Sequence, residues 1–229
     1  MLAVIIPTLN AEQTLAATLT ALIPATVDGL VCQVVIADGG STDKTLEIAD
    51  AAGATIITSE KGRGQQMCAG AEHAKHRWLL FLHADTVLDH GWEAEASKFM
   101  ERVDKGHFKQ SAAAFKFRLD DDGIRTNLME AGVSLRCAAL RLPYGDQGLL
   151  IPETLYREVG GYKKIPLLED VDFVRRLGYR RLKMLRAGAT TNAARFRREG
   201  YTLRVLRNWA CLAMYATGIP IRYIVKFYR

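Results

Sequence analysis

Val31-Cys32-Gln33-Val34-Val35-Ile36-Ala37-Asp38-Gly39-Gly40-Ser41-Thr42-Asp43 passes from an apolar run to a polar, glycine-rich corner. Val31–Ala37 is dominated by β-branched residues and reads as a buried strand. Asp38-Gly39-Gly40 ends it. Ser41 to Asp43 can cap a helix running to Ala52, with Gly53 as its C′ stop. The flanking chain repeats the pattern. Upstream, Leu2–Ile6 is an apolar run closed by Pro7, and Asn10 with Gln13 gives a capping-box-like start to a helix through about Leu22. Downstream come a short β-branched strand at Thr55–Thr58, an Ala-rich helix at Arg63–His76 and a strongly apolar strand at Trp78–His83. Strands alternating with helices in this way predict an α/β fold around a mostly parallel sheet flanked by helices.

The remaining pattern is looser. Ala112–Leu119, Gln147–Ile151 and Leu182–Arg186 read as strands. Ile124–Leu140, Glu153–Val159, Asp170–Leu177 and Tyr201–Tyr215 read as helices. No internal repeat, low-complexity tract or long linker interrupts the 229 residues, so a single domain is the economical reading. With 49% hydrophobic and 24% charged residues, the composition excludes wholesale disorder and fibrous architecture. Four widely spaced cysteines without a CxxC pair argue against a disulfide framework and a zinc ribbon, and favour a reducing, cytoplasmic setting. The N-terminus lacks the basic region of a signal peptide. Near the other end, the uncharged stretch from Asn208 to Ile221 falls short of the ~20 residues needed to span a bilayer.

Ligands of open α/β sheets bind beyond the C-terminal ends of the strands. Those ends carry Pro7-Thr8-Leu9-Asn10, then Asp38-Gly39-Gly40-Ser41-Thr42-Asp43, then Lys61-Gly62-Arg63-Gly64, then His83-Ala84-Asp85. Polar, glycine-rich or acidic groups at four consecutive strand ends indicate one shared site. No GxxxxGK[ST] loop is present. Gly62-Arg63-Gly64 follows the third strand, and Met67 stands where a dinucleotide fingerprint needs its last glycine. A P-loop kinase and a dehydrogenase of the usual dinucleotide type are therefore disfavoured. In an extended segment His83 and Asp85 would point to the same side. A divalent cation bridging two phosphates needs only one or two protein carboxylates, a role that suits Asp85, and an imidazole partner at His83 suits Mn²⁺ better than Mg²⁺. Further on, Glu169, Asp170 and Asp172 place three carboxylates just after Pro166, where one can serve as a general base.

Together these residues resemble the inverting glycosyltransferases of family 2, which have the GT-A fold, a Rossmann-like arrangement that binds nucleotide-diphosphate sugars. The resemblance runs from Ile5 to about Arg198. The opening Ile-Ile-Pro-Thr-Leu-Asn is similar to the family's first-strand signature, and Val35 to Thr45 is similar to its second, with Asp38 where the family contacts the nucleotide base. Phe81-Leu82-His83-Ala84-Asp85 stands in place of the DxD metal motif, and Asp85 matches its last carboxylate. Gly145-Asp146-Gln147-Gly148 occupies the acceptor-side segment. Glu169-Asp170 matches the ED motif, whose Asp is the family's base. The Leu-His-Ala-Asp-Thr variant and the compact size resemble a subgroup of small, soluble bacterial and archaeal members. His83 replaces the first Asp of DxD, and no QxxRW motif follows, which removes support for a processive polysaccharide synthase.

The resemblance implies a hexosyl-type transfer from a nucleotide-sugar, foremost a UDP-sugar, to a hydroxyl acceptor that is a small molecule or lipid-linked. A divalent cation, Mn²⁺ or Mg²⁺, would sit on Asp85 and His83. Pro7, Thr8, Asn10, Asp38, Gly39 and Gln147 would contact the nucleotide-sugar. Lys61 and Arg63 would hold the diphosphate. Asp170 would deprotonate the acceptor, with Glu169 orienting it or Asp170. Residues 1–110 would form the nucleotide-binding half, 111–198 the acceptor and catalytic half, and 199–229 a basic amphipathic helical tail. Competing readings are a nucleotidyltransferase on a similar sheet and a non-catalytic sugar-nucleotide-binding module. The first would carry a Gly-rich, basic loop where Pro7-Thr8-Leu9-Asn10 stands; the second could dispense with Asp170.

The formal charge of +6 is unevenly spread. Residues 1–170 hold 17 Lys+Arg against 23 Asp+Glu, and residues 171–229 hold 14 against 2. An acidic body with a basic tail suggests an anionic partner. Three readings are open: Arg195, Arg197 and Arg198 close over the donor diphosphate; the last helix lies on anionic lipid through Trp209, Leu212, Met214 and Tyr215 and its flanking Arg204, Arg207, Arg222 and Lys226; or it packs on the domain or a second subunit. No nucleic-acid-binding fold motif accompanies the charge.

Overall fold

The computed structural model describes residues 1–140, 143 and 145–228, except for the side chains of Arg125, residues 138–140, Arg195, Glu199, Thr202 and Leu203. Its elements in chain order are β1 (Leu2–Thr8), α1 (Leu15–Thr20), α2 (Ile23–Val27), β2 (Val31–Asp38), α3 (Thr45–Ala51), β3 (Thr55–Thr58), α4 (Arg63–His73), β4 (Trp78–Phe81), β5 (Thr86–Leu88), α5 (Trp92–Asp104), β6 (Ala112–Leu119), α6 (Ile124–Leu140), β7 (Leu149–Pro152), α7 (Glu153–Glu158), α8 (Glu169–Leu177), β8 (Leu182–Thr191), α9 (Ala194–Glu199), α10 (Tyr201–Ala216) and α11 (Ile221–Tyr228).

Eight strands form one sheet in the order β3-β2-β1-β4-β7-β6-β8-β5. β1 runs parallel to β2 and β4, β2 to β3, and β6 to β8. Only β7 and β5 run against the rest. The central strands are buried on both faces, which is why they read as continuous apolar runs rather than alternating ones. Successive residues of β1 feed two cores. Leu2, Val4 and Ile6 pack with Leu15, Trp78 and Trp92 on one face. Ala3 and Ile5 pack with Met67, Phe81, Tyr162 and Phe173 on the other. In the β1–β2 register Ile6 faces Ile36 and Thr8 faces Asp38, so the two strands end level and open onto one crevice.

Several expected boundaries shift for identifiable reasons. The helix foreseen from Asn10 begins only at Leu15, because Asn10 adopts φ 51° and its side chain accepts the Thr42 N–H at 2.9 Å instead of capping its own helix. β4 stops at Phe81. His83 and Asp85 lie in a turn closed by Thr86 N–H to His83 C=O at 3.2 Å, which leads into β5, so the extended-strand alternation expected for them does not apply. The strand expected from Gln147 starts at Leu149, after a 3₁₀ turn at Gly145–Gln147. β8 extends to Thr191, past the expected Arg186. α5 was not anticipated although Trp92, Ala96, Phe99, Met100 and Val103 carry helical spacing; Gly91, with φ 84°, gives it no side-chain cap to read.

Gly64, in the first turn of α4, sets how closely that helix approaches the segment leading to α8. A Cβ there would lie 2.3 Å from the Lys163 carbonyl oxygen and 2.9 Å from that of Ile165. These are backbone atoms, so one element must move. Gly64→Ala is expected to cost about 1–3 kcal/mol, read as a lower midpoint in thermal or urea unfolding; an unchanged midpoint would contradict this packing.

Candidate active site

The C-terminal ends of β1 and β2 are tied together by polar side chains. Asp38 is buried, and its carboxylate accepts Thr8 Oγ1 at 2.8 Å, Gly40 N–H at 2.9 Å, Ser41 N–H at 2.7 Å and Ser41 Oγ at 2.5 Å. Burial works to raise its pKa, but the hydrogen bonds from Ser41, Thr8 and Gly40 outweigh it and hold the carboxyl below its ordinary range. Buried Gln66, from α4, donates to the Thr8 and Ala37 carbonyls at 2.6 and 2.8 Å. A Cβ on Gly39 would come within 3.1 Å of that amide, so Gly39 serves the close packing over Gln66.

Two adjoining pockets open beyond these strand ends. The first takes Pro7, Thr8, Asn10 and Lys61 into its wall. The second is lined by Gly145, Asp146, Leu168, Asp170, Phe196 and residues of α10 and α11. Arg63, His83, Asp85, Leu167, Glu169 and Asn192 belong to both. The groups expected to hold a diphosphate and a cation thus stand on the wall between the expected donor side and the expected base.

Asp170 is held by two backbone donors, Gly145 N–H to Oδ2 and Val171 N–H to Oδ1, each at 2.7 Å. Gly145 is required there by its neighbours. A Cβ on it would lie 2.5 Å from His83 Nε2 and 3.5 Å from Asp170 Oδ2. Leu168 precedes the two acids with φ 62°, a costly conformation for a leucine, and this left-handed corner starts α8. Glu169 is turned inward, with a side chain only 3% exposed, and meets Arg63 Nη1 at 3.5 Å. Burial and the adjacent Asp170 push its carboxyl up to about 7 despite the guanidinium. Asp146 lies nearby. Burial, opposed by Arg136 and helped by Asp170 and Asp85, pushes it up to about 6, and its Oδ1 has no hydrogen-bond partner among the described residues.

The donor set suits a cation shared with a ligand. Among the described residues no three His, Cys, Asp or Glu side chains converge into a protein cage. Asp85, with His83 in the same wall, offers the one or two protein ligands that a phosphate-bound Mg²⁺ or Mn²⁺ requires.

Of the residues expected from sequence, Pro7, Thr8, Asn10, Lys61, Arg63, His83, Asp85, Glu169 and Asp170 line the pockets. Asp38 and Gly39 lie beneath them as the strand-end knot. Gln147 is buried behind them, donating to the Phe115 carbonyl at 2.9 Å. Arg197 points away, donating to the Asp120 carbonyl at 3.3 Å beside Asp121 at 3.8 Å, so in this structure it does not lie over the first pocket. The Arg195 side chain falls outside the described residues. Asp146, Asn192 and Tyr228 were missed. Asp146 was in view within the Gly145–Gly148 segment, whereas Tyr228 enters only because α11, within the tail expected to be helical, folds back to the site.

The fold is the GT-A arrangement, with a two-part site at the strand ends. The family model for glycosyl transferase family 2 matches residues 3–137, and the chain belongs to that family. A PGL/p-HBAD biosynthesis glycosyltransferase of Mycobacterium tuberculosis is 38% identical over 101 residues, 38% of this chain and 36% of the relative. A glucosyl-3-phosphoglycerate synthase of Mycolicibacterium paratuberculosis is 29% identical over 98 residues, 39% of this chain and 30% of the relative. The matched regions therefore span only about a third of these relatives. Among solved structures, glucosyl-3-phosphoglycerate synthase from M. tuberculosis, in complex with Mn²⁺, UDP and glucosyl-3-phosphoglycerate, superposes with a TM-score of 0.62 at 20% identity, covering 96% of this chain and 81% of that one. S. aureus TarS in complex with UDP gives 0.61 at 18% identity, covering 84% and 61%.

The buried Glu169 has a stability consequence. Its folded-state pKa of about 7 lies above the ordinary 4.5, so the folded protein binds the extra proton between those values. Stability is then greatest below the lower value and falls as pH rises through the upper one. Thermal midpoints are expected to decline across this window, and Glu169→Gln to lessen the decline. An identical pH profile in the variant would contradict the assignment.

Proposed function

We propose that this chain transfers a hexosyl group, with inversion, from a nucleotide-diphosphate sugar to an acceptor hydroxyl, and that the donor is a UDP-sugar. The observation that carries this reading is Asp170, fixed on two backbone N–H groups in a pocket that shares Arg63 and Asp85 with the pocket at the strand ends. Base and leaving-group stabilisers on adjoining pockets suit a single in-line displacement. The relatives' names and the UDP and Mn²⁺ in similar structures support the same donor class.

In this mechanism Lys61 and Arg63 bind the donor diphosphate, Arg63 through a guanidinium matched to phosphate oxygens. Glu169 holds Arg63 at the border between the pockets. Asp170 accepts the proton of the acceptor hydroxyl while the acceptor oxygen bonds to the anomeric carbon and the bond from that carbon to the diphosphate oxygen breaks. The electron pair leaves with the nucleoside diphosphate. A divalent cation on Asp85 and His83 would neutralise charge on the departing diphosphate. The N–H groups of Gly145 and Val171 hold the Asp170 carboxylate in place.

Asp170→Asn keeps the shape of the side chain but leaves an acceptor for only one of the two backbone N–H groups, and it cannot take a proton. It is expected to lower kcat by about 10²- to 10⁴-fold while UDP affinity stays within a few-fold. Near-normal turnover in the variant would refute the base assignment, and retained anomeric configuration in the product would refute inversion.

A further inference from the structure

The hairpin of α10 and α11 has two sides of different chemistry. Its inner side takes Asn208, Cys211 and Tyr228 into the wall of the pocket that holds Asp170, and Ile224 is fully buried. Its outer side is uncovered. Along α10, Leu206, Trp209, Ala213 and Ala216 recur at helical spacing and are all exposed, Leu206 at 66% and Trp209 at 48%. α11 adds exposed Tyr223 and Phe227, one turn apart, beside exposed Arg222 and Lys226. Residues 200–229 contain five Lys+Arg and no Asp or Glu.

This combination selects among occupants. A second copy meeting the same face about a two-fold axis would bring Arg222 and Lys226 against their own counterparts, with no carboxylate in the hairpin to offset them. None of the helices among the described residues is long and apolar enough to cross a bilayer. An apolar and aromatic stripe bordered by cations, free of acids, matches a helix lying in the plane of a negatively charged membrane. We propose that the α10–α11 hairpin is a docking surface for an anionic lipid bilayer. Leu206, Trp209, Tyr223 and Phe227 enter the headgroup boundary, and Arg222 and Lys226 pair with lipid phosphates. Docking goes beyond the transfer reaction and does not depend on it.

Trp209 makes the test direct. The chain has three tryptophans, and Trp78 and Trp92 are each 1% exposed, so a change in emission on binding reports Trp209. The 229-residue chain is titrated with phosphatidylcholine vesicles containing phosphatidylglycerol, and in parallel with pure phosphatidylcholine vesicles. A blue shift with co-sedimentation is expected on the anionic vesicles at low salt, weakening as salt rises, with little on the neutral ones. Trp209→Gln combined with Phe227→Gln, followed by co-sedimentation, is expected to bind about tenfold more weakly or worse. Arg222→Glu with Lys226→Glu keeps the fluorophore and is expected to abolish the blue shift; it serves if the first variant fails to fold. No shift and no co-sedimentation on anionic vesicles at low salt would overturn the proposal. So would equal binding to both vesicle types, or a blue-shifted Trp209 without vesicles accompanied by dimeric mass in light scattering.

Discussion

The hydrogen bond from Gly145 N–H to the Asp170 carboxylate ties the turn before β7 to the start of α8 at the site. Gly145 sits in the turn before β7, the strand that reverses direction between β4 and β6. Asp170 begins α8. His83, from the turn after β4, packs against the same glycine. Three segments distant in sequence therefore meet at a residue without a side chain, and the space a Cβ would fill is taken by an imidazole and a carboxylate. Two backbone donors fix the carboxylate more firmly than a flexible side-chain partner would, which is the preorganisation a general base needs.

A second carboxylate, Asp172, fastens α8 to the rest of the chain. It accepts Lys163 Nζ at 2.8 Å, Arg176 Nε at 2.7 Å and the Tyr215 hydroxyl at 2.9 Å. Arg176 also donates to the Val159 and Gly161 carbonyls, binding the turn before α8 to its end. Burial works against the charge on Asp172, but the three side-chain donors outweigh it and keep the carboxyl below its ordinary range. Through Tyr215, α10 is anchored on the helix that carries Glu169 and Asp170. The C-terminal segment is thereby part of the site's wall, and its charge acquires a location: an inner side facing the pocket and an outer side facing away.

The first half of the fold was legible because β1, β4 and the C-terminal half of β2 are buried on both faces, so apolar runs ending near Pro7, Asp38-Gly39 and His83 marked them. The carboxylates were legible because they cluster at polar, glycine-rich strand ends and in the first turn of α8. What escaped depends on contacts between distant segments. Asn10 resembles a helix cap in sequence, yet it bridges to Thr42. Asp38 and Gln147 look available for a ligand, but they are committed to Thr8 and Ser41 in one case and to Phe115 in the other. Arg197 shares a basic run with Arg198, and only the fold shows that it turns to the Asp120–Asp121 loop. Tyr228 depends on the path of α11, which no local pattern announces.

The central claim is that the strand-end pocket beside Asp85 and Arg63 binds a nucleoside diphosphate together with a divalent cation. Thermal unfolding with UDP and Mn²⁺, alone and combined, tests it most directly, because a ligand that binds only the folded state raises the midpoint by mass action. UDP should stabilise the protein, Mn²⁺ should enlarge that effect, and Asp85→Ala should remove the enlargement while keeping the response to UDP. No shift with any nucleoside diphosphate, with or without cation, would contradict the account.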